Sequence, residues 1–382
     1  MMILKNAKIV LLDEIIDLGW IEVEGQKIKT INQGVTELDG LDCSNLTIMP
    51  GYIDCHVHGG YGYNFEQGTI DSFVNFAKNV TKEGITRYCQ GTVTGAVSNL
   101  EKILTVYAEF MAKHNNGPQA RQIGAHLEGP FISPVFKGAH EETLLLKPDV
   151  DVMKKLVGAS NDNIRIVTYA PELQDGSFTK YLLEQKIVPS MGHSAATFKD
   201  VEQEVSIGAN HFTHLHNGMS RYDHRNPGMI NAGLYFDEIL CELITDGIHN
   251  DLNVVKEVYK IKGADHICII TDAMTAKGMP DGPYKLGGLD VVKKGQTVTL
   301  LNGVLAGSAA TYDYCVKNMY KVTNCSLIEL TKMTSINVAK QFGLFAETGS
   351  ITVGKYADFT IVDGQLNVKA TIVEGQIVYD NL

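Results

Sequence analysis

The sequence predicts a (β/α)8 barrel that carries a small β-sandwich domain built from both chain ends. Three observations lead there. Eight short apolar runs with strand character alternate with helix-like stretches through the middle of the chain. The two ends share a different pattern that is β-type throughout. His, Asp and Glu collect at the C-terminal ends of the apolar runs, the end where barrel sites form.

In order along the chain, residues 2–32 alternate in short β-type runs, and Val23-Glu24-Gly25-Gln26-Lys27-Ile28 reads as a hairpin turn. The eight runs follow at 48–59, 85–93, 122–130, 164–172, 187–194, 209–218, 240–249 and 266–274. SFVNFAKNVTKEG after the first and DLNVVKEVYKIKG after the seventh are helix-like. Strand alternating with helix gives parallel βαβ units, and eight of them close a barrel; an open doubly wound sheet is the alternative. No GxGxxG or GxxxxGK[ST] motif occurs. Residues 277–308 are Gly-rich and β-like, an excursion beyond the eighth strand, and helices are predicted near 309–322 and 326–342. The chain ends on SITVGKYADFTIVDGQLNVKATIVEGQIVYD, in which Val373-Glu374-Gly375-Gln376-Ile377 echoes the first hairpin. Isolated terminal strands would leave open edges, and packing them together removes the problem. The expected domains are therefore 1–50 with 346–382, and the barrel at 51–345.

The length of 382 residues suits a ~250-residue barrel plus an accessory piece. With 33 Lys+Arg against 44 Asp+Glu the net charge is −11, which argues against charge-driven nucleic-acid or anionic-membrane binding. A few local cations can still hold a small anion. The 44% apolar and 20% charged content excludes a disordered chain, a coiled coil and a collagen-like rod. Seven scattered cysteines without CxxC indicate neither a disulfide framework nor a zinc knuckle. Lys5, Lys8 and Asp13 interrupt any apolar leader, and no run approaches the ~18–20 apolar residues of a membrane span. A cytoplasmic protein is the expectation.

The chemistry starts with His56-Val57-His58. In a strand, residues i and i+2 face one side, so both imidazoles can point at one centre. The third run ends in His126-Leu127-Glu128, the fifth in His193, the sixth in His211, His214 and His216, the seventh in Asp246 and His249, and the eighth in Asp272. Each has a bland counterpart: a histidine bonded to a carbonyl, a loop cap at Glu128, a helix cap at Asp272. Their joint occurrence on six of eight runs points to a shared site. Imidazole with carboxylate suits zinc or ferrous iron better than magnesium or calcium. Asp272 could act as a base toward a water whose pKa such a metal lowers to around 7. His114, His224 and His266 lie outside the pattern, and His126 and His211 read as second-layer or buried packing residues.

PGYIDCHVHG, GAHLEGPFISPVFKGAH, GHSAAT, THLHNGM, TDGIHN, ITDAM and LAGS occur in that order, followed by GSITVGKYADFTIVD. In these motifs the sequence resembles the N-acetylglucosamine-6-phosphate deacetylases of the metal-dependent amidohydrolase superfamily, over essentially the whole chain. The resemblance implies metal ligands at Glu128, His193 and His214, and a catalytic acid/base at Asp272. It implies substrate contacts at Ala139, His140, Asn217, Gly218, Arg225, His249, Leu305, Ala306 and Gly307. Arg225 would meet the phosphate, for which a guanidinium fork is suited. His249 would polarise the acetyl carbonyl. His56 and His58 would hold a second metal bridged by Glu128, so one or two divalent ions, zinc or iron, are expected per subunit. A homodimer building the phosphate pocket is implied as well. Two departures bear on sugar preference: Gly218 stands where Ala is usual, and His216 where an aromatic or apolar residue is common.

The implied reaction is deacetylation of N-acetylglucosamine 6-phosphate to glucosamine 6-phosphate and acetate, with the galactosamine isomer as runner-up. A cyclic amidase would call for a bridging carbamylated Lys, and no run ends in one. A non-catalytic scaffold would be expected to have lost ligands or base, and every matching position is filled.

Overall fold

The computed structural model describes residues 1–382. The eight apolar runs are the eight strands of one parallel sheet: β1 (Tyr52–Val57), β2 (Ile85–Thr92), β3 (Arg121–Glu128), β4 (Ile164–Tyr169), β5 (Val188–Met191), β6 (His211–Phe212), β7 (Leu240–Ile244) and β8 (Ile267–Ile270). Every residue of β1, β7 and β8 is buried. Strands covered on both faces read as continuous apolar runs, which is why they stood out in the sequence. Just past the strand ends, the Asp272 N–H donates to the His56 carbonyl at 2.9 Å and the His58 N–H to Ala273 at 2.8 Å. These bonds join β8 to β1 and close the barrel.

Amphipathic helices cover the outside. In α1 (Ile70–Asn79), Thr69 caps the first turn and Phe73, Phe76 and Ala77 are buried. In α2 (Val97–Lys113), Leu100, Ile103, Leu104, Tyr107 and Phe110 form the inward stripe. The predicted late helices are present at Tyr312–Thr323 and over 327–341, the second interrupted by a π-turn at Lys332–Ile336. No helix is long and apolar enough to cross a membrane.

Both ends form a separate sheet, hydrogen-bonded as one continuous eight-stranded unit around its own core of Leu4, Ile9, Ile21, Ile48, Phe359 and Ile372. The two predicted hairpins are there, Ile15–Glu24 with Lys27–Gln33 and Val368–Val373 with Gln376–Asp380. Their tips meet: a Cβ on Gly375, which has φ +75°, would strike the Gly25 carbonyl. Arg87 and Arg121, at the starts of β2 and β3, grip Asp358 and Glu374 of this sheet at 2.8–3.2 Å. The small sheet thus docks on the N-terminal rim of the barrel and leaves the C-terminal rim free. The excursion at 277–308 is a three-stranded antiparallel sheet (Gly282–Leu286, Leu289–Lys294, Thr297–Leu300). It packs on Val93 and Ala139 from the loops after β2 and β3, beside the barrel mouth.

Candidate active site

Glu128 ends β3 and is the hub of the mouth. Its Oε1 lies 3.0 Å from His214 Nε2, 3.2 Å from His193 Nε2 and 3.5 Å from His56 Nε2. Its Oε2 lies 3.0 Å from His58 Nε2 and 3.6 Å from His140 Nε2. His193 and His214 are themselves 3.0 Å apart, Nε2 to Nε2. Asp272 Oδ1 faces His58 Nε2 at 3.1 Å and His56 Nε2 at 3.6 Å. Seven sequence-selected residues, at or just past the ends of β1, β3, β5, β6 and β8, therefore meet in one buried cluster.

The far sides of the rings fix their tautomers. His193 Nδ1 donates to the Phe136 carbonyl at 2.7 Å and His214 Nδ1 to the Asn217 carbonyl at 3.1 Å, since a carbonyl only accepts. With the hydrogen on Nδ1, each Nε2 turns a lone pair toward the other and toward Glu128. Three lone pairs at 3.0–3.2 Å repel one another unless positive charge lies among them. Donors about 2.0–2.1 Å from one tetrahedral centre sit roughly 3.3 Å apart, close to this spacing. His56 Nε2 adds a buried nitrogen with no hydrogen-bond partner, aimed between the two carboxylates. The donor set fits a divalent cation at Glu128, His193 and His214, and a neighbouring one at His56, His58 and Glu128.

Charge in the cluster is shared between two carboxylates and the histidines around them. Burial pushes the Glu128 carboxyl up, but the histidines crowded round it, His56 foremost, outweigh burial and hold it well below the usual range. Burial also opposes the Asp272 charge, yet His58 and His56 bring its pKa to about 2. Burial favours neutral His58, and Asp272 and Glu128 override it, raising it to about 10. His140 goes to about 4, chiefly through burial. Its Nδ1 accepts from the Thr94 N–H at 3.2 Å, so its Nε2 carries hydrogen into the site.

The Amidohydrolase family model matches residues 47–378. The chain belongs to the amidohydrolase family. Bacillus subtilis N-acetylglucosamine-6-phosphate deacetylase is 36% identical over 99% of this chain and 97% of its own. Escherichia coli N-acetylgalactosamine-6-phosphate deacetylase is 34% identical over 92% and 91%. A Mycobacterium smegmatis N-acetyl-D-glucosamine-6-phosphate deacetylase mutant, solved in complex with N-acetyl-D-glucosamine-6-phosphate, superposes with a TM-score of 0.92 at 28% identity, covering 99% of both chains.

In this amidohydrolase the remaining selected residues, Arg225 excepted, lie on the loops around the cluster. His249, after β7, donates from Nδ1 to Asp246 Oδ2 at 2.7 Å. Leu305, Ala306 and Gly307 run beside Asp272: the Ser308 N–H donates to the Asp272 carbonyl at 2.8 Å. Ala139 is half-buried against the excursion. Asn217 holds His214 through its carbonyl, and His216 pairs with Asn250 at 2.8 Å. Arg225 lies apart, exposed on the 221–227 loop. The Gly218 departure has a local reason here: its φ is +57°, and a Cβ would sit 2.8 Å from His193 Nδ1. Gly218→Ala is expected to cost about 1–2 kcal/mol through the left-handed backbone alone, read as a lowered Tm of chelated protein.

Three supporting residues were missed in the sequence. Glu172 accepts from Ser194 Oγ and the Ala195 N–H, both at 2.6 Å, and so holds the turn after His193. Thr94 orients His140. Glu242, inside the apolar run LCELI, is fully buried beneath the cluster. A carboxylate in a strand buried on both faces needs partners, and that was the available signal.

Proposed function

We propose that this protein removes the acetyl group of N-acetylglucosamine 6-phosphate, giving glucosamine 6-phosphate and acetate, with the chemistry at the Glu128 cluster. The observation that carries the reading is the buried, tautomer-fixed meeting of Glu128, His193 and His214 beside Asp272. The named relatives select the substrate class. Glu128, His193 and His214 would hold one divalent ion, zinc or iron, and His56, His58 and Glu128 a second. Such an ion lowers the pKa of water to around 7 and polarises an amide carbonyl.

The protein's own groups do the rest. Asp272 takes the proton of the attacking water and returns it to the leaving amine. His140 presents its Nε2 hydrogen to the sugar. His249 donates to the acetyl oxygen as charge develops there. Because its Nδ1–H is committed to Asp246, only the imidazolium has a second hydrogen to give. Burial favours neutral His249, while Asp246 and Asp272 raise its pKa. Asp246→Asn removes most of that lift, so His249 loses its proton at lower pH. The alkaline limb of kcat/KM is expected to move to lower pH, with turnover at pH 8 falling toward the roughly 10²-fold loss of a missing oxyanion donor. A pH–rate profile checks it.

Arg225, with Asn217, Gly218 and the Leu305–Gly307 turn, would receive the phosphosugar. We propose a homodimer that completes the phosphate pocket, a reading supported by Arg225 on an exposed loop that also bears Tyr222, 64% exposed. The site falls in the 51–345 unit, with 1–50 and 346–382 as the second. The seven free cysteines suit a reducing cytoplasm.

The test is acetate release from N-acetylglucosamine 6-phosphate by enzyme stripped with chelator and refilled with zinc or iron. Turnover is expected to vanish and return; folded protein inactive with every metal would sink the reading. The galactosamine isomer is the second reading, favoured by the Escherichia coli relative, and a higher kcat/KM for that sugar would select it.

A further inference from the structure

Glu242 on β7 has no part in the steps above, yet it touches one proposed ligand of each metal position. Its Oε2 accepts from His56 Nδ1 at 2.8 Å and from the backbone N–H of His214 at 3.1 Å. Its Oε1 accepts from His211 Nε2 at 3.0 Å. The carboxylate has no exposed surface. A charge so placed costs several kcal/mol unless its partners are fixed, so these three bonds define one arrangement.

We infer that Glu242 is a positioning residue that commits His56 to the second metal position, an inference that rests on the two-ion reading above. With the Nδ1 hydrogen given to Glu242, the His56 Nε2 lone pair is fixed toward Glu128 and Asp272. That nitrogen is buried and lacks a hydrogen-bond partner. Its neighbours at 3.5 and 3.6 Å are too far for hydrogen bonds. The local backbone serves the same end. The β1 register shifts between Asp54 and Val57, so Cys55 and His56, adjacent in sequence, both reach Glu242. The same oxygen holds the His214 backbone at φ +27°, a conformation few residues adopt unaided. One carboxylate thereby sets the distance between a ligand of the first ion and a ligand of the second.

The experiment is equilibrium dialysis of the full chain against buffered free zinc, with metal counted per chain. Wild type is expected to hold two ions. Glu242→Gln leaves an oxygen for the His214 N–H but no charge behind His56, so it should keep the first ion and bind the second roughly 10–100-fold more weakly, as losses of such outer partners do. His56→Asn should lose the second ion outright, and adding Glu242→Gln to it should change nothing further. A merely structural role would instead weaken both ions, or lower first-ion affinity in the His56→Asn background. Should Glu242→Gln not fold, Glu242→Asp keeps the charge and retracts the acceptor, with the same selective loss expected. Two ions in wild type with undiminished second-ion affinity in the folded variant overturn this inference alone. A single ion in wild type overturns the two-ion reading, and this inference with it.

Discussion

Asp272→Asn is expected to lower kcat by roughly 10²–10⁴-fold, the range for removal of a positioned proton-transfer group, while the ion at Glu128, His193 and His214 is retained. The reasons are geometric and electrostatic. Asp272 faces His58 at 3.1 Å and His56 at 3.6 Å and has no bond to the other three. Its carboxyl pKa is brought to about 2, so it is ionised across the working pH range. Asn has the same shape but cannot take a proton. The backbone is held independently of the side chain, with the N–H donating to His56 at 2.9 Å and the carbonyl accepting from Ser308 at 2.8 Å. The left-handed φ of +49° is tolerated by Asn as by Asp. Fold and first-ion affinity should therefore survive. Acetate release and metal content, measured on the same preparation, check both halves. Near wild-type turnover would remove Asp272 from the mechanism.

Much of this site is legible in one dimension because some of its geometry is local. His56 and His58 are two residues apart on a strand, and pleat parity alone puts them on one side. The eight runs could be found because strands buried on both faces are apolar throughout. The ends could be paired because both repeat the same hairpin, although the first run hides a break. Thr47–Pro50 belongs to the terminal sheet and Tyr52–Val57 to the barrel, with Gly51 between.

What was not legible is long-range or conformational. His193, His214, His216 and Asp272 all have positive φ, from +27° to +80°, immediately past a strand. Nothing in their side-chain chemistry announces a left-handed turn. Three of the four are held by backbone bonds: Ser133 on the His193 carbonyl, Glu242 on the His214 N–H, Ser308 on the Asp272 carbonyl. Those partners come from other strands and loops. The strain has a use, since the turn at the strand end brings the His193, His214 and Asp272 side chains into the cluster around Glu128 and His58. Glu242 was hidden for a related reason. A carboxylate in an apolar run is conspicuous, but which histidines it serves depends on closure of β7 against β6 and on the register shift in β1.

Glu128→Gln separates metal binding from folding, because its two expected effects are read with and without zinc. The carboxylate supplies an oxygen to His193 and His214 and another to His58. Replacing it with an amide removes the one anionic donor shared by both clusters. Metal content should fall to near zero and acetate release to background. Stability of the metal-free protein should fall as well, because a carboxyl held well below the usual range is one whose charge the folded cluster favours, and the neutral amide forgoes that. Wild type should gain about 4 kcal/mol when free zinc exceeds Kd a thousandfold, and the variant should gain nothing. Thermal unfolding with chelator and with zinc reads both effects. A variant whose Tm still climbs with zinc would show that the histidines alone hold the ion, and Glu128 would then be a substrate contact and not a ligand.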